Sequence, residues 1–255
     1  MEIKQLHTLF LNSKGVCTDT RTLQKYNIFF ALKGGNFNGN IYAKQALEKG
    51  AKYVVIDEKE YEQENTILVK DVLTTLQELA AYHRVYLNIP IIGITGSNGK
   101  TTTKELLGIV LNKKYKTFAT KGNLNNHIGV PLSLLSISNE HEMAIIEMGA
   151  NHVGEIETYC RWVKPNYGII TNIGKAHLEG FGGVEGVIKG KTELYKAVNK
   201  NKGLVFYNAD DAVLTEQSKN CHNIYSYGQN EGANFNFKID SSGAFVKISL
   251  ENTVI

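Results

Sequence analysis

Ile91-Ile92-Gly93-Ile94-Thr95-Gly96-Ser97-Asn98-Gly99-Lys100-Thr101-Thr102-Thr103 decides how this chain is read. An apolar run enters a turn bracketed by Gly96 and Gly99, then leaves through Gly-Lys-Thr into residues 104–111, whose apolar spacing is helical. A strand, a glycine turn and a helix in that order describe a phosphate cradle. Consecutive backbone N–H groups can face phosphate oxygens there, Lys100 supplies a cation for the β- and γ-phosphates, and the Thr101 hydroxyl can ligand Mg²⁺. The reading implies a nucleoside triphosphate held by Gly96, Ser97, Asn98, Gly99, Lys100, Thr101 and Thr102. The usual spacing, G-x-x-x-x-G-K-[ST], places a glycine where this chain has Ile94, with Gly93 and Gly96 on either side.

Working outward, the first ~85 residues alternate short elements: strands over 28–32, 53–56 and 67–69, and helices over 42–49 and 73–86. Asn88-Ile89-Pro90 disfavours helix before the proline and marks the joint between a domain of residues 1–87 and one of residues 88–255. The second domain repeats the alternation, with apolar strands over 91–95, 144–148, 167–173 and 204–207 and helices over 153–162 and 184–198. The expected class is α/β: a small α/β domain followed by a doubly wound, mostly parallel sheet. Residues 235–239 and 245–250 alternate in period two around Asp240-Ser241-Ser242-Gly243, the pattern of a hairpin. The sequence then stops at Asn252-Thr253-Val254-Ile255 without a further helix, which reads as a chain cut short.

With 255 residues and 42% hydrophobic content the chain can bury a substantial core in two domains. The net charge of +3 is spread without a polybasic block, so nucleic acid is not implied and anions must be held by local sites. Cys17, Cys160 and Cys221 are far apart and lack metal-ligand spacing, which makes buried free thiols the expectation. No run approaches the ~20 apolar residues of a membrane span and no basic-then-apolar leader opens the chain, so the cytoplasm is the expected compartment.

Further candidates follow the phosphate loop. Glu147 ends an apolar strand, so its carboxylate should emerge at the carboxyl edge of the sheet, where ligands of open α/β folds bind; it is a Mg²⁺ ligand candidate. The segment from Thr171 to Gly182 likewise leaves a strand and turns through glycines, delivering Asn172 and His177 to the same edge. Lys191 sits on the helix beyond. A bare ammonium beside Mg²⁺ is repelled, so a lysine there must point at phosphate, be neutral, or be converted to an anion.

Together, residues 93–104, Lys121-Gly122-Asn123-Leu124-Asn125-Asn126-His127-Ile128-Gly129-Val130-Pro131, Glu147-Met148-Gly149-Ala150-Asn151, residues 172–182 and Lys191-Thr192-Glu193 resemble the Mur ligases of peptidoglycan synthesis. Thr18-Asp19-Thr20-Arg21, residues 28–34 and Asn38-Gly39 are similar to that family's uridine-nucleotide domain. Asn38, Asn40 and Ser97 stand where the family commonly has Asp, His and Thr. The resemblance implies an ATP-dependent amide ligase with catalytic Lys100, Glu147, His177 and Lys191, using Mg²⁺ held by Thr101, Glu147, His177 and a carbamylated Lys191, with Asn172 beside the nucleotide. It further implies that Thr20, Arg21, Gly34, Asn38, Gly39, Asn123, Asn125 and Asn126 bind substrate. The runs at 123–126 and 176–182 favour the member that joins D-alanyl-D-alanine to UDP-N-acetylmuramoyl-tripeptide through an acyl phosphate. The third peptide residue, lysine or diaminopimelate, stays open. The family's C-terminal domain is not found in the sequence, which makes the 255-residue chain alone an expected non-catalyst. The alternatives are another Mur ligase, a folylpolyglutamate synthetase-like ligase, or a nucleotide-binding fragment without turnover.

Overall fold

A computed structural model describes residues 1–175, 177–240, 247–250 and 253–254. The chain forms two compact units, Met1–Asn88 with His127–Glu140, and Ile89–Asn126 with His141–Ile255.

The first unit contains α1 (Ile3–Leu11), β1 (Val16–Cys17), β2 (Ile28–Phe30), β3 (Lys33–Gly34), β4 (Phe37–Asn38), α2 (Ala43–Glu48), β5 (Tyr53–Ile56), β6 (Thr66–Leu68) and α3 (Val72–Leu87). Strands β1, β2, β5 and β6 pair in that order, all parallel. Phe29, Ala31, Val54 and Ile56 pack against Ala43 and Ala46 of α2, so small helix residues let the helix approach the sheet. The Asp71 carboxylate accepts from Thr74 N at 2.6 Å and starts α3. At the other end Asn88 adopts a left-handed conformation (φ 47°) ahead of Pro90. The expected helix over 42–49 is preceded by a 3₁₀ turn, Gly39–Tyr42, which the Asn38 side chain caps. Helix α1 escapes an apolar-periodicity reading because one of its buried positions, between Leu6 and Phe10, is His7.

In the second unit, β7 (Ile91–Thr95) leads through the glycine turn into α4 (Lys100–Leu111) and β8 (Thr117–Ala119). The chain then returns to the first unit as α5 (Gly129–Leu135). Residues 127–140 therefore depart from the 1–87 and 88–255 division. The physical reason is that α5 is nearly all buried, packing on α3, and that His83 of α3 bonds the Ile137 carbonyl at 2.8 Å.

The remainder comprises β9 (Met143–Glu147), α6 (Glu155–Val163), β10 (Tyr167–Ile170), α7 (Leu178–Phe181), α8 (Val184–Lys200), β11 (Leu204–Asn208), α9 (Ala212–Ser218), β12 (Ile224–Gly228), β13 (Phe235–Asn236), β14 (Lys238–Asp240), β15 (Lys247–Leu250) and β16 (Thr253–Val254). The seven strands of the main sheet run β13-β12-β11-β10-β7-β9-β8, every pairing parallel. Strand β7 is buried at all five positions and lies between β10 and β9. The turns after β7, β9 and β10 therefore share the carboxyl edge, the place where open parallel sheets hold ligands.

Two expectations are corrected here. The strand expected over 167–173 ends at Ile170, because Thr171 and Asn172 turn aside to bond the phosphate loop. Residues 235–239 do not form one strand: Phe235 and Asn236 pair in parallel with β12, whereas β14 pairs antiparallel with β15, Asp240 opposite Lys247. Residues 241–246, which include the expected hairpin turn, lie outside the described residues, as do Ala176, Glu251, Asn252 and Ile255. Cys17 and Cys160 are buried free thiols and Cys221 is half-buried; burial pushes the Cys160 thiol up to about 12. Among the described residues no helix is long and apolar enough to cross a membrane.

Candidate functional site

Gly96 and Gly99 give the loop its path. Gly96 has φ 144° and Gly99 has φ 76°, both in the left-handed region, and a Cβ on Gly96 would collide with Thr171 Oγ1. Around them the loop is braced from β10. Asn172 O accepts from Ser97 N at 3.0 Å, its Oδ1 accepts from Asn98 N at 3.1 Å, and its Nδ2 donates to Asn98 O at 3.0 Å. Thr171 Oγ1 donates to the same carbonyl at 2.6 Å, and Gly174 N donates to Ser97 Oγ at 2.9 Å. Asn172, expected beside the nucleotide, thus spends its amide on the loop itself.

Lys100 opens α4 and folds back, its Nζ donating to Gly96 O at 2.8 Å and Ser97 O at 3.1 Å. Burial lowers its pKa, with Glu147 acting in the opposite sense. Thr101 Oγ1 lies 3.1 Å from Glu147 Oε2 and 3.3 Å from Oε1. Glu147, 1% exposed, also accepts from Asn125 Nδ2 at 2.8 Å, while its backbone N–H donates to Thr120 Oγ1 at 3.1 Å. The sequence expectation for Asn125 was substrate; the structure turns it onto the strand-end carboxylate. Asn123 and Asn126 are exposed, and Thr102 lies exposed on α4.

Lys191 is 2% exposed and donates from Nζ to Ala150 O at 3.1 Å. The Phe181 ring covers the ammonium at 5.1 Å from its centroid, seated where Gly190 leaves room on α8, while Gly186 admits the Phe181 carbonyl. Burial, reinforced by the positive charge of Lys100 and opposed by Glu155 and Glu193, lowers its pKa to about 8. His177 precedes α7 in a left-handed conformation (φ 54°), its carbonyl accepting from Phe181 N, and its ring is exposed. The site therefore joins Thr101, Asn125 and Glu147 directly, sets Lys100 within electrostatic reach of Glu147 and of Lys191, and leaves His177 exposed. No cluster of three or more His, Cys, Asp or Glu side chains forms a ready metal cage among the described residues. Mg²⁺ needs none: it is commonly held by one or two carboxylates, water and substrate phosphates. A hydroxyl beside a carboxylate is an all-oxygen donor set, so these residues fit that ion.

In the first unit a cavity of about 700 Å³ is lined by Thr18, Thr20, Arg21, Phe37, Tyr42 and Lys49, with Asp19, Phe29 and Gln45 completing its wall. Phe37 and Tyr42 stack at 5.7 Å, Arg21 is held by Asp19 through Nε at 3.0 Å and Nη2 at 2.6 Å, and Lys49 Nζ donates to Thr20 O at 2.9 Å. Thr20 and Arg21 are thus brought to a cavity. Gly34, Asn38 and Gly39 do not line it. Asn38 instead bonds Asn40 and Glu58, and Gly39 is buried against Leu32 O, where a Cβ would not fit. The sequence reading missed Phe37, Tyr42 and Lys49, although an aromatic pair five residues apart and a lysine closing a helix were legible signals.

A phosphate loop after the central strand, a carboxylate at the end of its neighbour, and a preceding small parallel-sheet unit define a nucleotide-dependent α/β protein of two domains. The family models agree: residues 94–253 match the Mur ligase middle domain and residues 12–84 match the Mur ligase family catalytic domain. The chain belongs to the Mur ligase family. It is 37% identical to UDP-N-acetylmuramoyl-tripeptide--D-alanyl-D-alanine ligase of Bacillus subtilis over 94% of this chain and 56% of that protein. The Haemophilus influenzae protein of the same name is 41% identical over 76% of this chain and 43% of the relative. Among solved structures, MurF from Acinetobacter baumannii superposes with a TM-score of 0.84 at 31% identity, covering 99% of this chain and 59% of that one. MurF from Thermotoga maritima, solved in complex with ADP, gives 0.84 at 29% identity over 96% and 58%. The chain thus spans about half the length of the relatives it matches.

Proposed function

We propose that this chain supplies the uridine-nucleotide and ATP-binding domains of a cytoplasmic ligase that adds D-alanyl-D-alanine to UDP-N-acetylmuramoyl-tripeptide. The observation that carries the reading is the 3.1 Å contact between Thr101 and Glu147 beside Lys100, a hydroxyl and a carboxylate held together at a phosphate loop. Thr101 and Glu147 would hold Mg²⁺, with His177 and a carbamylated Lys191 serving a second ion. Bound Mg²⁺ supplies neutralisation of phosphate charge. The lowered pKa of Lys191 supports its part, since only the neutral amine takes up CO₂.

In this mechanism Lys100 leaves the Gly96 and Ser97 carbonyls for the β- and γ-phosphates. The tripeptide carboxylate attacks the γ-phosphorus, releasing ADP and forming an acyl phosphate; the dipeptide amine then attacks the acyl carbon and expels phosphate. Attack of one anion on another is assisted by fixed positive charge and alignment rather than by acid–base groups. In the first unit, Phe37 and Tyr42 offer faces to the uracil, and Arg21 and Lys49 offer cations to the diphosphate. Calorimetry with the chain tests the reading: Mg-ADP and UDP-N-acetylmuramoyl-tripeptide are each expected to bind at one saturable site. Failure of either ligand at millimolar concentration overturns it.

A further inference from the structure

Lys104 lies one helical turn beyond Lys100 on α4 and is 0% exposed. Fully buried lysines are rare, because an ammonium removed from water must be paired. Here Nζ donates to Thr120 O at 2.6 Å, meets Glu105 Oε1 at 3.0 Å and lies 3.8 Å from Glu147 Oε2. The only other buried residue of α4 is Gly108, which lies close to Ala119 and Ile145. Leu107 and Leu111 pack the phosphate-loop helix on the cluster of Ile92, Ile94 and Ile145, yet its two fully buried positions are a glycine and a charged group.

The partners explain the charge. Thr120 is bonded three times to the segment that carries Glu147: its hydroxyl accepts from Glu147 N at 3.1 Å and donates to Ile145 O at 3.5 Å, and its own N–H donates to Ile145 O at 3.0 Å. Lys104 grips the Thr120 carbonyl and faces Glu147 Oε2, the oxygen nearer Thr101, while Asn125 holds Oε1. One ammonium thus connects the helix bearing Lys100 and Thr101, the residue after β8, and the carboxylate that ends β9.

We propose that Lys104 is the positioning residue for Glu147: its ammonium fixes the carboxylate relative to Thr101, so that both oxygens are set for a divalent cation before nucleotide arrives. This rests on the Mg-nucleotide reading above. Groups that orient a metal ligand typically carry about 10–100-fold in metal affinity. Lys104→Met keeps the apolar stem and removes the charge. With the 255-residue chain, ADP binding is measured by calorimetry without metal and with Mg²⁺, and Mn²⁺ occupancy is read by electron paramagnetic resonance at saturating ADP. The expected result for Lys104→Met is a loss of about 10–100-fold in Mn²⁺ affinity with metal-free ADP binding unchanged. Lys104→Gln, which keeps a donor for Thr120 O, is measured in its place if the methionine variant does not fold. A folded variant with wild-type Mn²⁺ affinity overturns the inference alone. Equal losses with and without metal also overturn it, since they mark a merely structural lysine. Wild-type chain that binds ADP without any response to Mg²⁺ overturns the metal reading and the inference with it.

Discussion

Asn125 Nδ2 donates to Glu147 Oε1 at 2.8 Å, which commits an asparagine from the run after β8 to the carboxylate that ends β9. The same asparagine's carbonyl accepts from Gly149 N at 2.8 Å, and a Cβ at Gly149 would press on its side chain. Asn125→Ala strips a donor from a carboxylate that is 1% exposed. The expected cost is about 1–3 kcal/mol in stability, read by urea unfolding, together with weaker Mg-dependent ADP binding. Unchanged stability and binding would mean that water replaces the amide without loss.

Lys100→Met is expected to abolish Mg-ATP binding while leaving the unfolding midpoint close to wild type. Its ammonium bonds only loop carbonyls, those of Gly96 and Ser97, so the core does not depend on it. Calorimetric titration checks this, and wild-type affinity in the folded variant would remove Lys100 from the phosphate site.

The two loop glycines should respond differently to alanine. Gly99 has φ 76° with nothing near its absent Cβ, so Gly99→Ala bears backbone strain of about 1–2 kcal/mol alone. Gly96→Ala adds a collision with Thr171, which also braces Asn98, and is expected to lose nucleotide binding as well as stability. Thermal unfolding and ADP titration of both variants decide the matter; equal effects would count against the bracing role of Thr171.

The phosphate loop was legible because one contiguous run carries the strand, the glycines and the helix, and local chemistry there dictates local structure. Glu147 was legible for a related reason: it ends a run that only a buried parallel strand explains. What stayed hidden depends on partners distant in sequence. Lys104 reads as one more surface lysine until Thr120 and Glu147 close around it, and Asn172 reads as a ligand residue until its amide meets Asn98. Residues 127–140 carry apolar content that suits either unit, and only contact with α3 assigns them to the first. Asn38 shows the converse: a position matched to a family pattern is occupied with capping its own turn.

A pH dependence of stability follows from the first unit. His83 Nε2 must carry the proton it donates to Ile137 O, leaving Nδ1 to accept from His7 Nε2 at 3.0 Å. Both rings are buried, and burial holds both pKa values down, that of His7 to about 4 with His83 adding to the shift. Below pH 6.5 the unfolded chain takes up protons that these folded rings refuse, so their contribution is present above that value and is lost as pH falls toward about 4. Urea midpoints of wild type and His7→Phe, compared between pH 8 and pH 4, are expected to converge or cross as the pH drops. Parallel curves would show that the pair does not titrate with unfolding.

Lys191 provides the last test. Its pKa of about 8 makes a large share of the side chain neutral under mildly alkaline conditions, when exposed lysines are almost fully charged. Carbamate formation consumes the neutral amine and CO₂ and releases a proton, so Lys191 should take up CO₂ ahead of the exposed lysines. Carbamylation would exchange the cation under the Phe181 ring for an anion, removing the favourable contact with its face and favouring metal as the replacement partner. With ¹³C-bicarbonate at pH 8, one carbamate resonance is expected by NMR, growing on addition of Mg²⁺ and ADP and absent from Lys191→Ala. Phe181→Leu, which withdraws the ring from the ammonium, should raise the carbamate fraction in the absence of metal. A resonance that persists in Lys191→Ala assigns the adduct to another lysine, and none in wild type with Mg²⁺ and ADP present leaves Lys191 a buried amine with no part in holding metal.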